Sequence, residues 1–228
     1  MYFYTRIKNC NMPLLFIREI NLHTRLGLWK IEETKEELKG MIVLTPYEEV
    51  QFASFKSEIR KKQWLSYRVL LTEMIPEVSI TLIYDEYGKP HLQNNEFNIS
   101  ITHSGDYSAV IISNKPVGID IERLKDRINR ITGKFLTPEE DRSICDPSRL
   151  EKLYIAWGAK EALYKLQGKP EVEFQRDIFI ESFTYLCTEK GHCNAKMRTN
   201  GSHEEYTVFY ERISDYMLVY ALKRNTEE

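Results

Sequence analysis

No stretch of these 228 residues is a membrane span, because no run approaches the ~18 apolar residues that a spanning helix needs. Cysteine is scarce: the chain has four, Cys10, Cys145, Cys187 and Cys193. In a chain this long they do not form a disulfide framework. His192 lies beside Cys193, but the Cys187–Cys193 spacing has no matching second pair, so a four-ligand structural zinc site is missing its partners. An excess of either charge is missing too. The 32 Lys and Arg offset the 34 Asp and Glu to a net charge of -2, which excludes a broadly basic nucleic-acid coat protein but leaves room for a local cationic pocket. The apolar run Pro13 to Ile17 is cut short by Arg18 and Glu19, which excludes a secretory signal there. The expectation is a soluble, reduced, cytoplasmic protein that engages neither membrane nor nucleic acid. Residues 1–11 are expected as a disordered lead, with Met12 as an alternative start.

What is present is enough for a sizeable core: 42% hydrophobic and 29% charged residues are ordinary globular values. The chain also repeats itself weakly. Leu44-Thr45-Pro46-Tyr47-Glu48-Glu49 resembles Leu136-Thr137-Pro138-Glu139-Glu140, and both read as helix starts with a Thr cap, an early Pro and acidic residues in the first turn. Helical stretches around Trp64 (60–73) and Trp157 (150–166) follow at similar distances. Asp106-Tyr107 and Asp215-Tyr216 each open the second strand of a hairpin. The expected fold class is α+β, a pseudo-twofold duplication of two similar halves, 12–115 and 116–228. Each half packs helices on a small, mostly antiparallel sheet. Asn114-Lys115-Pro116 is the crossover, and the cleft between halves is the place for a ligand.

Three motifs carry chemistry. Val117-Gly118-Ile119-Asp120-Ile121-Glu122 alternates as a strand, with Ile119 and Ile121 on one face and Asp120 and Glu122 together on the other. Two adjacent carboxylates suit magnesium, although the hexapeptide alone is better described as a half-exposed strand with its polar face in water. Trp157-Gly158-Ala159-Lys160-Glu161-Ala162-Leu163-Tyr164-Lys165 places Glu161 and Lys165 on one helix face. Alone, that is a surface ion pair. Gly158 costs a mid-helix position roughly 1 kcal/mol relative to Ala, so something must approach it closely. The third set is cationic or polar: Lys89 and Pro90 after a Gly turn, Thr102-His103-Ser104 where a strand turns back, and Arg60-Lys61-Lys62 opening the first Trp helix.

Gly88-Lys89-Pro90, Asn98-Ile99-Ser100-Ile101-Thr102-His103-Ser104, Gly118-Ile119-Asp120-Ile121-Glu122 and Trp157-x-x-Lys160-Glu161-Ala162-x-x-Lys165 occur in that order. Together they resemble the Sfp-type 4′-phosphopantetheinyl transferases. The resemblance implies two similar α+β halves with the active site at their interface. It implies transfer of the phosphopantetheine arm of coenzyme A (CoA) to a serine of an apo acyl or peptidyl carrier protein, with release of 3′,5′-ADP and dependence on Mg2+. By the same resemblance Asp120, Glu122 and Glu161 are the metal ligands. Glu161 is also the candidate base, and Lys165 contacts the transferred phosphate. Lys89 with Pro90, and Thr102 with His103, contact CoA. Lys160 belongs to the same motif and is counted with the CoA residues, although the helix sets it toward the apolar stripe. Thr102 stands where many relatives have Ser. Aligning Trp64 with Trp157 puts Arg68 opposite Glu161 and Thr72 opposite Lys165, so the first half lacks the catalytic carboxylate. Arg60, Lys61, Lys62 and also Arg68 are expected to serve the CoA 3′-phosphate. The basic stretch Arg123 to Arg130, with Arg127 and Arg130, is either a carrier-docking element or a solvated helix. Duplication within one chain implies a monomer. Two rival readings are a catalytically inactive CoA-binding regulatory module and a non-enzymatic adaptor.

Overall fold

The computed structural model describes residues 14–76, 80–93, 97–186, 190–199 and 201–224. The lead expected at residues 1–11 lies outside them. Residues before the Asn114-Lys115-Pro116 crossover form strands β1 (Leu14–Asn21) and β2 (Thr24–Lys30), then helices α1 (Lys35–Gly40), α2 (Pro46–Ser54) and α3 (Glu58–Met74). Strands β3 (Leu82–Tyr84), β4 (Pro90–Leu92), β5 (Asn98–Ser104) and β6 (Tyr107–Ser113) follow. After the crossover come β7 (Val117–Arg123), a 3-10 turn (Asp126–Arg130), α4 (Thr132–Phe135), α5 (Pro138–Ser143) and α6 (Arg149–Gln167). Then come α7 (Phe174–Asp177), β8 (Ile178–Ile180), β9 (Lys190–Thr199), β10 (Ser202–Ile213) and β11 (Tyr216–Lys223).

The class is mixed α and β with antiparallel sheets. A first sheet has strand order β1-β2-β6-β5, a second β7-β11-β10-β9-β8, and β3-β4 is a separate hairpin. Strand periodicity decides the layering, because alternate side chains go to opposite faces. In β6, Val110 and Ile112 join Trp64, Leu70 and Leu71 beneath α3, while Tyr107, Ala109 and Ile111 face the other way. In β11, Met217, Val219 and Ala221 pack under α6, while Tyr216, Leu218 and Tyr220 meet Ala109, Ile111, Leu26 and Leu28. The molecule is therefore layered helix, sheet, sheet, helix, with an apolar seam between the sheets.

Both Thr-Pro motifs start helices as expected. Thr45 and Thr137 each form a reciprocal capping box, with Glu48 and Glu140 respectively, and Pro occupies the first turn of α2 and α5. Each of these glutamates also meets a buried cation 20 positions on: Arg68 Nε donates to Glu48 at 3.2 Å and Lys160 Nζ to Glu140 at 2.8 Å. These contacts favour a register that differs by one residue from the Trp64–Trp157 alignment. They put Arg68 opposite Lys160, Val69 opposite Glu161 and Glu73 opposite Lys165.

Two glycines set the spacing of layers. A Cβ on Gly118 would collide with the Ala162 carbonyl, so β7 lies directly against α6 only because that residue is Gly. A Cβ on Gly158 would lie 2.7 Å from a Val219 methyl. The mid-helix glycine thus admits a strand side chain rather than a ligand.

Candidate functional site

The site forms where edge strand β5 of the first sheet runs beside edge strand β7 of the second, under the C-terminal half of α6. The two strands are joined through side chains. Ile119 N donates to Ser100 Oγ and Ile121 N to Thr102 Oγ1, both at 3.2 Å. Thr102 Oγ1 donates to Asp120 Oδ1 and Ser104 Oγ to Glu122 Oε2, both at 3.1 Å. Alternation along β7 places Asp120 and Glu122 on the α6 side, as the hexapeptide pattern predicts.

Helix α6 brings the remaining groups. Lys165 Nζ donates to Asp120 Oδ1 at 2.7 Å and to the Ile119 carbonyl at 3.1 Å, and lies 3.4 Å from Thr102 Oγ1. Its ion pair is thus with the strand carboxylate, not with Glu161 one helical turn away. Glu161 is half-buried. Burial, and then the charge of Asp120, push its carboxyl up to about 7, with Glu122 adding and Lys165 opposing. Burial and Asp120 also raise Glu122, while Ser104 and the charges of Lys165 and Arg127 pull it back. Three carboxylates therefore lie near enough to repel one another around one ammonium.

The cationic rim comes from before the crossover. The Arg60 guanidinium meets His103 Nε2. Burial, then the positive charges of Arg60 and Lys165, hold the imidazole down to about 4, so it is neutral and an acceptor at physiological pH. Lys89, from the turn before β4, donates to the Leu166 carbonyl at 2.7 Å at the end of α6, beside Gly168, and burial lowers its pKa. Pro90 opens β4 immediately after it.

Not every expected residue arrives. Lys160 is fully buried and donates to Glu140, to the Phe174 carbonyl at 3.0 Å and to the Ile178 carbonyl at 2.8 Å. Its place among the CoA contacts is therefore corrected: it is a structural cation that ties α6 to α5, α7 and β8. Lys61 pairs with Glu58 and lies over the Phe52 ring, and Lys62 acts on Glu37 of α1, so neither joins Arg60 at His103. Arg68 is buried against Glu48, with its guanidinium carbon 3.4 Å above the Trp64 ring, which removes it from the CoA set as well. Ser100 has no role in the sequence reading, and Ser104 enters it only as part of the Thr102-His103-Ser104 turn. The Ser-x-Thr-x-Ser alternation on β5 was the available signal.

The donor set suits a hard divalent cation. Asp120 Oδ2 is buried and accepts no hydrogen bond, an arrangement that a bound cation would relieve. Among the described residues, however, no three His, Cys, Asp or Glu side chains close into a metal cage, and the Lys165 ammonium takes an Asp120 oxygen instead.

The fold and site define an α+β protein with carboxylates and cations gathered between two antiparallel sheets. Residues 116–220, which carry Asp120, Glu122, Glu161 and Lys165, match the family model of the 4′-phosphopantetheinyl transferase superfamily, so a little under half of the chain is similar to that superfamily. It is 32% identical over 136 residues to a 4′-phosphopantetheinyl transferase of Bacillus subtilis, covering 53% of this chain and 58% of the relative. Similar matches are to the 4′-phosphopantetheinyl transferase gsp of Aneurinibacillus migulanus (32% over 118 residues; 46% and 49%) and to Sfp of Bacillus subtilis strain 168 (34% over 90 residues; 37% and 39%). The chain thus matches about half the length of these relatives. Among the described residues no helix is long and apolar enough to cross a membrane.

Proposed function

We propose that this protein transfers the 4′-phosphopantetheine arm of CoA to a serine hydroxyl of an apo acyl or peptidyl carrier protein, releasing 3′,5′-ADP. The observation that carries the reading is the convergence of Asp120, Glu122, Glu161 and Lys165 with His103 and Arg60 at the β5–β7 junction. That set has both halves of phosphoryl-transfer chemistry: oxygen ligands for a divalent cation, and cations for phosphate oxygens.

Asp120, Glu122 and Glu161 would hold Mg2+, which when bound neutralises diphosphate charge and orients the reacting phosphorus. The chain's own groups do the rest. Arg60 and Lys89 balance the negative charge of CoA, while neutral His103 hydrogen-bonds without adding to it. Lys165, freed from Asp120, meets the oxygens of the phosphoryl group under attack. Glu161, directly or through a water, takes the serine proton as the serine oxygen bonds to phosphorus and the bond to the ADP oxygen breaks. A positioned base of this kind contributes ~10²–10⁴-fold.

The site is proposed to lie at the interface of two halves, 12–115 and 116–228, related by duplication. The equal spacing of Glu48–Arg68 and Glu140–Lys160 and the matched capping boxes support this. With Val69 and Glu73 opposite Glu161 and Lys165, the first half has no second catalytic carboxylate, so one active site per chain and a monomeric enzyme follow. Arg127, close to Glu122, and Arg130 would face the acidic carrier.

The test uses fluorescent CoA with apo acyl and peptidyl carriers. Labelling of either, abolished by chelator, is expected. CoA binding without labelling of any carrier would favour the inactive regulatory module.

A further inference from the structure

We propose that Thr102 and Ser104 are positioning residues that orient the two β7 carboxylates toward a divalent cation, so that the first sheet shapes the cation site without contributing a ligand. This rests on the carboxylate site described above.

The β5 face toward β7 presents three hydroxyls at alternate positions, 100, 102 and 104, and β7 offers what they need at the same period. Ser100 takes a main-chain N–H only. Thr102 does two things at once: its oxygen accepts from Ile121 N, so its single hydrogen is free to go to Asp120 Oδ1. With Oδ1 engaged by Thr102 and Lys165, the carboxylate plane is fixed and Oδ2 is the oxygen left bare. Ser104 holds Glu122 Oε2 in the same way. Both carboxylates thus have one oxygen held by a hydroxyl from the other sheet and one available. The β-branch of Thr stiffens χ1, so a Thr at position 102 holds its hydroxyl in one rotamer better than Ser would. The 3.4 Å approach of Lys165 to the same oxygen lets Thr102 keep Asp120 in place when the ammonium leaves for a phosphate. Partners of metal ligands typically matter 10–100-fold in metal affinity.

The experiment measures Mn2+ affinity by electron paramagnetic resonance on the full chain, without CoA or carrier, for the wild type and for Thr102→Val, Thr102→Ser, Ser104→Ala, Ser100→Ala and Asp120→Asn. Thermal midpoints are recorded to establish folding. Expected are a ~10–100-fold loss for Thr102→Val, near wild-type affinity for Thr102→Ser, and ~10-fold loss for Ser104→Ala. Ser100→Ala should lower the thermal midpoint and leave Mn2+ affinity unchanged, because it touches no carboxylate. If Thr102→Val binds Mn2+ like the wild type while Asp120→Asn does not, the cation site stands and the positioning role is overturned. If Ser100→Ala loses as much affinity as Thr102→Val, sheet docking rather than carboxylate orientation is responsible, which also overturns it. A wild type that binds no Mn2+ overturns both the cation site and this role.

Discussion

Two regions of this molecule solve one packing problem in different ways. On the outer side of each sheet, a capping glutamate on a short helix is buried against a cation on the long helix. Before the crossover the cation is Arg68, which spreads over Trp64 and Tyr67 and leaves Nη2 buried without a partner. After the crossover it is Lys160, whose ammonium finds three oxygens: Glu140 and the carbonyls of Phe174 and Ile178. Ile180 N completes the arrangement by donating to Glu140 Oε1 at 2.9 Å. The chain from α7 to β8 closes over the second pair, whereas a cleft of about 300 Å³ lined by Met41, Leu44 and Leu82 lies beside the first. The saturated pair sits on the helix that carries Glu161 and Lys165. The lesson is that the helix carrying Glu161 and Lys165 has the more completely satisfied buried cation, which holds that helix still.

The comparison breaks most visibly at the chemistry. Glu161→Gln should lower transfer by ~10²-fold or more, as removal of a positioned base does. Glu73→Gln, opposite Lys165 in the contact register, should leave the rate unchanged. Steady-state rates with one carrier decide this, and a comparable loss in both would mean that both halves act.

Next comes stability. Lys160→Met strands Glu140 and two carbonyls in the interior and should cost ~3–5 kcal/mol in urea unfolding. Arg68→Met should cost less, because its pair is longer and one donor is already unpaired. Equal costs would erase the distinction between the two pairs.

The acid side sharpens it further. Asp177, buried at the end of α7, is held well below the usual carboxylate range first by Arg176, then by the Glu173 N–H and by Arg198. Its folded-state pKa is depressed, so its stabilisation is complete above the ordinary carboxylate value and is lost as pH falls through the folded one. The Asp177→Asn variant should therefore be less stable at neutral pH and lose less than the wild type on acidification. Parallel acid-titration curves for the two proteins would contradict this.

The smallest effect concerns glycine. Gly158→Ala should destabilise by ~1–2 kcal/mol, because overpacking against Val219 outweighs better helix propensity, while Gly40→Ala at the open end of α1 should gain up to ~1 kcal/mol. Thermal melts would show the opposite signs.

Much of the site was legible because its period matched its element. Alternation in Val117 to Glu122 put both carboxylates on one strand face, and Thr-Pro-x-Glu read as a helix start. What the pattern could not convey was partner choice across the fold. Lys160 and Lys165 stand in the same motif, but only the packing of α7 and β8 makes one structural. Lys61 and Lys62 read as one basic cluster with Arg60, yet helix geometry sends them toward α1 and α2. The Trp64–Trp157 match and the two buried ion pairs differ by one residue in register, because a contact between residues distant in sequence leaves no local pattern. Thr102 and Ser104 of the β5 hydroxyl row stand in a sequence motif, but their pairing with β7 is not legible there, because pairing between two sheets leaves no local pattern.

The most direct measurement is the intact mass of an apo carrier protein after incubation with CoA, Mg2+ and this protein, beside the Asp120→Asn and Glu161→Gln variants and a chelator control. The account predicts a gain of one phosphopantetheinyl arm with the wild type, little or none in the same time with either variant, and none with chelator. A gain that survives both substitutions and chelator would contradict the assignment of the reaction to this site.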